Sequence, residues 1–205
     1  MEAPYRGLSS VKSGHLNTRI EDFMYAKIAI TAAILLATLL GYAAILPDTF
    51  TVQRTTSIKA SPEKIFAYIN DFHYWTFWSP WEKMDPKMKK TYSGSGRGIG
   101  MIYEWEGNDK VGAGRMEITN SSRPNFISIN LDLIRPYKSH NITEFTLSDK
   151  GGLTEITWAM TGPATYLTRL TRIFINLDNV VGQNFEAGLA NLKAVAEKQT
   201  AGDRG

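Results

Sequence analysis

From Lys87 to Gly162 apolar residues recur at every second position, and from Tyr166 to Glu197 they recur at every third or fourth. Ile99, Met101, Tyr103 and Trp105 alternate with other residues, as do Met116 and Ile118, then Ile127, Ile129, Leu131 and Leu133, then Ile156, Trp158 and Met160. A period of two with one apolar face marks antiparallel strands covered on one side only. Turn signals separate the runs: Gly94 to Gly100, Gly107-Asn108-Asp109, Arg123-Pro124-Asn125 and Lys150-Gly151-Gly152. Beyond them Tyr166, Leu170, Ile173, Phe174, Leu177, Val181, Phe185, Leu189, Leu192 and Ala196 keep helical spacing. The pattern predicts one long amphipathic helix over 166–197. Gly182 and Gly188 weaken it as a helix and predict a close backbone approach or a bend there. One sheet with an open apolar face and one long amphipathic helix cover each other. The fold class is therefore α+β, a curved antiparallel sheet wrapped around a C-terminal helix.

Upstream, Phe50 to Lys59 is rich in threonine, valine and isoleucine and reads as the first strand. Ser61-Pro62-Glu63 then gives a helix start, with serine as N-cap, proline at the first helical position and an acid in the first turn. That helix runs into six aromatic residues within ten positions, Phe72, Tyr74, Trp75, Phe77, Trp78 and Trp81. Phe72, Trp75, Trp78 and Trp81 recur at intervals of three, so a short helical turn places them along one side. So large an aromatic area belongs in a core, a ligand cavity, a membrane interface or a partner.

The nineteen residues from Ile28 to Leu46 carry no formal charge. As a helix they extend about 28 Å at about 1.5 Å per residue, close to a bilayer's hydrocarbon thickness. We read 1–27 as a polar flexible tail, 28–46 as a single membrane span, 48–198 as the folded domain and 199–205 as a disordered tail. Gly41-Tyr42-Ala43 resembles a signal-cleavage site, but the preceding tail is long for a signal peptide, and an uncleaved anchor is the expectation. Lys12, Arg19 and Lys27 before the span balance Arg54, Lys59 and Lys64 after it. The positive-inside rule is thus neutral, and the domain is placed on the extracytoplasmic side. Pro47-Asp48-Thr49 leaves almost no linker, which holds the domain at the bilayer surface.

Ser61-Pro62-Glu63-Lys64-Ile65-Phe66 and Trp75…Trp78-Ser79-Pro80-Trp81-Glu82 resemble the START-like superfamily, and within it the SRPBCC group of polyketide cyclases, dehydrases and lipid-transport proteins. Tyr103 to Asn108, Gly112 to Ile118 and Phe185 to Lys193 resemble the same group, so the likeness covers about residues 50–197. It implies a helix-grip fold with an apolar cavity between sheet and long helix. The walls expected on this basis are Trp75, Trp78, Trp81, Tyr103, Trp105, Met116, Ile129, Leu131, Trp158, Met160, Phe174, Leu177, Val181 and Phe185. Tyr103 and Asp178 are the inward polar candidates, while alternation sends Glu104 and Arg115 outward. The aromatic run becomes a lid or end wall of the cavity. The expected ligand is a hydrophobic or amphipathic small molecule, a lipid or polyketide-like compound. The alternatives are a cyclase/dehydratase-type enzyme and a protein-interaction module like the chaperone-activating relatives. An exposed tryptophan patch would favour the last.

Other chemistries lack their residues. There is no cysteine, so thiolate metal sites and cysteine nucleophiles are excluded. His73 and His140 have no spacing that suits a metal, and no cofactor is expected. The formal charge of +3 is spread along the chain and gives no nucleic-acid footprint. Gly94-Ser95-Gly96-Arg97-Gly98-Ile99-Gly100 matches no phosphate-binding pattern and reads as a hairpin loop, with Gly96 and Gly98 as candidates for a cavity rim. Lys83, Lys87, Lys89 and Lys90 follow the tryptophans and suit either a solvated face or a membrane interface.

Overall fold

The computed structural model describes residues 12–174 and 176–198, apart from the side chains of 12–22 and 177. The chain divides at Leu46–Pro47 into two units. The first contains helix α1, Lys12–Ile45. Within it Phe23–Ile45 has a mean hydropathy of 2.3, and among the described residues it is the one helix long and apolar enough to cross a membrane. Residues 12–27, expected as flexible tail, are helical instead. Once the apolar run has nucleated a helix, extension is cheap, and residues 15–27 contain neither proline nor glycine to stop it. The expected tail at 199–205 and residues 1–11 lie outside the described residues.

The second unit is a seven-stranded antiparallel sheet with helices on one face. The strands are β1 (Thr49–Ile58), β2 (Lys89–Gly94), β3 (Met101–Glu106), β4 (Ala113–Ser122), β5 (Phe126–Arg135), β6 (Ser139–Asp149) and β7 (Thr154–Pro163). Their order is β1-β7-β6-β5-β4-β3-β2, so every neighbouring pair is a sequential hairpin except β1 with β7. Between β1 and β2 come α2 (Pro62–Ile69), a 3-10 helix (Phe72–Phe77) and α3 (Pro80–Met84). Register shifts at Ala113/Gly114 and Ile118/Asn120 on β4 bend the sheet. The alternation expected from sequence is largely the observed burial: Met101, Tyr103, Met116, Ile118, Ile127, Ile129, Ile156, Trp158 and Met160 all face the core, whereas Ile99 lies in the β2–β3 turn and is exposed. This is the helix-grip layout.

The long C-terminal helix is two helices. α4 covers Tyr166–Arg172 and α5 covers Leu177–Lys198. Asn176 causes the restart: its side-chain Oδ1 accepts from the Asn179 amide at 3.0 Å, and its carbonyl accepts from the Val180 amide at 3.2 Å. An asparagine that caps a new first turn competes well with helix continuation. The two glycines of α5 do mark close approaches. A Cβ on Gly188 would overlap the Trp158 ring, and one on Gly182 would overlap the Arg54 guanidinium.

A candidate ligand-binding cavity

The aromatic run divides into three roles. Phe72, Trp75 and Trp78 are 1%, 4% and 0% exposed, as the three-residue spacing predicts for a 3-10 helix that presents one side inward. The indole N–H of Trp75 donates to the Ile69 carbonyl and that of Trp78 to the Tyr68 carbonyl, which fixes both rings. Phe72 and Trp78 fill solid core, Trp78 against Trp75, Phe145 and Trp158. Trp75 and Trp81 instead face an internal space, while Tyr74 and Phe77 are exposed. The tryptophans turn inward, so the run offers no exposed tryptophan patch.

That space is a cavity of about 240 Å³ between the concave sheet face and the first turns of α5. Trp75, Trp81, Tyr103, Trp105, Met116, Leu131, Trp158, Met160, Val181 and Phe185, all expected as walls, line it. Trp158 and Phe185 form one wall as a parallel stack, with ring centroids 4.1 Å apart and planes inclined by 8°. Tyr103 and Trp105 of the lining stack on each other at 5.8 Å, with Tyr92 stacked on Tyr103 at 5.2 Å outside the lining.

Four expected wall positions are not in it. Trp78 and Ile129 are fully buried in packed core and leave no face open to the space. Phe174 is 72% exposed, because the break between α4 and α5 carries it off the gripped helix. Asp178 lies on the outer side of α5 in an ion pair: its carboxylate accepts from both terminal nitrogens of Arg54 at 3.0 Å, and Glu186 accepts from Arg54 Nε at 2.6 Å. The Arg54 hydrogen bonds and charge hold the Asp178 carboxyl below the usual carboxylate range. The side chain of Leu177, also expected, lies outside the described residues. Gly96 and Gly98 belong to the β2–β3 hairpin at the opposite end of the sheet from Val111 and Leu133 of the lining, and do not rim the cavity.

The polar centre is a group that sequence reasoning had not placed. Glu82, on α3, has a side chain only 9% exposed; it accepts from the Tyr103 hydroxyl at 3.0 Å and from Lys90 Nζ at 2.6 Å. Burial, then the charge of Glu82 and the hydrogen bond to it, push the Tyr103 phenol far above the usual tyrosine range. Tyr103 is therefore a neutral donor. Lys90 neutralises the carboxylate from the rim, as a buried charge requires. The partners of Glu82 lie 21 and 8 positions away, and no spacing links them. The one available signal was an acid in the first turn after Ser79-Pro80, which repeats Ser61-Pro62-Glu63. Lys83 donates to Asn191, so two of the four lysines weighed for a membrane face are engaged within the domain. His73 pairs with Asp71 and His140 with Asp132, outside the cavity lining.

Comparison with known proteins places this geometry. Residues 49–197 match the family model described as polyketide cyclase / dehydrase and lipid transport. No curated protein matches the chain. Among solved structures, protein CV1439 from Chromobacterium violaceum is similar, with 14% identity, TM-score 0.52, and 74% of this chain covering 99% of that one. The di-domain ARO/CYC StfQ from the steffimycin biosynthetic pathway is similar at 11% identity and TM-score 0.55, with 75% of this chain covering 52% of StfQ. Major latex-like protein 151 from Panax ginseng is similar at 10% identity and TM-score 0.52, with 73% covering 99%. Likenesses this distant show a shared fold.

Proposed function

Since the chain belongs to the polyketide cyclase / dehydrase and lipid transport family, we propose that its domain binds a hydrophobic or amphipathic small molecule between the sheet and α5, and that α1 anchors it in a membrane. The observation that carries this reading is an unfilled apolar space with one buried carboxylate–phenol pair in its wall. Aromatic and aliphatic walls desolvate the ligand, and the few polar groups set its orientation. At about 240 Å³ the space falls below the ~300–1,000 Å³ usual for drug-sized ligands. It suits a single ring system, or one end of a longer chain whose remainder lies outside. The test is native mass spectrometry with solvent extraction of the full chain purified in mild detergent. A defined compound should accompany the protein and should be lost from Leu131→Trp, in which an indole occupies the space. A consistently empty protein sinks the reading.

The Glu82–Tyr103 pair supports a second reading, a cyclase/dehydratase-type enzyme. Glu82 would take a proton from a carbon beside a carbonyl, and Tyr103 would turn its one hydroxyl proton from Glu82 to that carbonyl oxygen. Glu82→Gln keeps an acceptor for Tyr103 but removes the base. Under this reading it abolishes turnover of a polyketide-like substrate and leaves binding; under the carrier reading it alters affinity alone.

A further inference from the structure

The strand register brings the start of β1, the end of β7, the β5–β6 turn and the β3–β4 turn to one end of the sheet: Thr49 pairs Pro163, Leu133 pairs Ser139, and Ala113 pairs both Arg135 and Glu106. α4 follows β7 directly at this end, and Arg172 of α4 donates to the Thr49 carbonyl. Here the domain exposes large apolar side chains that its own core does not claim. Tyr137, at the tip of the β5–β6 turn, is 83% exposed, Leu167 68% and Phe174 72%. Leu167 lies on α4 and Phe174 in the turn just beyond its end, and Thr171 between them is exposed too. Cations flank them: Arg135 and Lys138 beside Tyr137, Arg169 and Arg172 beside Phe174. At the opposite end Ile99 and Leu153 are the exposed large apolar residues of the hairpin turns, one to a turn.

We propose that this end of the domain is a membrane-docking face, with Tyr137, Leu167 and Phe174 seated among the headgroups of an anionic bilayer, and Lys138 with the remaining N–H groups of Arg135 and Arg172 on its phosphates and carboxylates. The inference rests on the reading that α1 crosses that bilayer. Leu46, Pro47 and Asp48 are all that separate α1 from Thr49. The four steps from Ile45 to Thr49 reach about 14 Å at about 3.5 Å each, so the end of the sheet that begins at Thr49 is the end that stays within headgroup range. A tyrosine, two apolar side chains and a rim of arginine and lysine fit that zone, where rings sit at headgroup depth and basic groups meet anionic lipid. The cavity lies toward the same end, since its lining includes Val111 of the β3–β4 turn and Leu133 near the end of β5. A docked domain thus holds its ligand space next to lipid.

The absence of cysteine permits single-site labelling of the whole chain. Thr171→Cys and Lys150→Cys, each carrying an environment-sensitive fluorophore, are reconstituted into vesicles of phosphatidylcholine and phosphatidylserine with a headgroup-proximal spin-labelled quencher lipid. The expected result is a blue shift and quenching at 171 and neither at 150. Both effects should weaken when phosphatidylserine is omitted, and be lost with Leu167→Asp and Phe174→Asp combined. Retention of the chain after alkaline carbonate washing, with position 171 in water, overturns docking and leaves the anchor standing. Release by carbonate overturns the anchor and the docking with it. A label shielded without lipid quenching places a second copy of the chain on this face and overturns the lipid assignment.

Discussion

The two ends of the folded domain are made of the same residue types and differ in what faces the sheet. At one end α2 and the 3-10 helix supply Ile65, Phe66, Ile69, Phe72 and Trp78, and these join Ile127, Ile129, Phe145 and Leu147 of the sheet in a filled core. At the other end the first turns of α5 present Val181, Asn184 and Phe185 to Met116, Leu131 and Leu133, with space left between them. Val181 and Asn184 are short and leave the space open, while Phe185 alone of these reaches a strand, against Trp158 of β7. The lesson is that the hollow is set by what the helix omits. The apolar pattern of the strands continues unchanged across both ends.

Substitutions sharpen this contrast in order of size. Trp78→Ala, in the filled end, is expected to cost about 3–5 kcal/mol, as for other buried aromatic truncations. Leu131→Ala, beside an existing void, should cost about 2 kcal/mol, the low end for a leucine. Denaturant melts of the full chain in detergent measure both, and equal losses would erase the distinction between the ends. Gly188→Ala should cost about 1–3 kcal/mol, because its Cβ meets a Trp158 ring locked by Phe185. Gly182→Ala displaces only the flexible Arg54 guanidinium, and thermal melts should place it above Gly188→Ala in stability. Glu82→Gln should cost about 1 kcal/mol, because one amide oxygen still accepts from Tyr103 while the ion pair with the partly exposed Lys90 is lost, and ligand retention in native mass spectra changes.

The smallest effect is a pH dependence. Folding holds the proton on Tyr103 more tightly than the unfolded chain does. The native state therefore binds more protons above the ordinary tyrosine pKa of about 10, and stability falls as pH rises beyond it. Below that pH the contribution is fully present. Tyr103→Phe should flatten this alkaline slope without abolishing it, since burial raises Tyr68 and Tyr92 as well. An unchanged slope would show that Tyr103 ionises freely.

Periodic features were the ones legible in sequence. Alternation located β3, β4, β5 and β7, and the three-residue spacing of Phe72, Trp75 and Trp78 located their shared inward face; β6 was hidden because its inward positions include Asn141 and Thr143. Both depend on neighbours along one element. What sequence obscured depends on contacts between elements or on one competing side chain. The apolar spacing ran on through Asn176, whose cap splits the helix and moves Phe174 to the surface. Asp178 kept an inward phase on paper, yet Arg54 on β1, 124 positions earlier, draws it outward. Glu82 reaches the cavity because a five-residue helix turns it toward β2 and β3, a direction that no periodicity encodes.

One feature of the sheet bears on how the protein is made. Five strands, β3 to β7, can each pair with the one before it as they are synthesised, but β1 has no partner until β7 exists roughly a hundred residues later. At a synthesis rate of about 5–20 residues per second that wait is on the order of 5–20 s. Throughout it β1 is an unpaired strand joined to the most apolar segment of the chain. Closure of the sheet, and with it a complete floor for α5, waits until β7 has been made. A chain that stops before β7 has neither cavity nor α4, and leaves its first strand open to whatever sheet edge it meets.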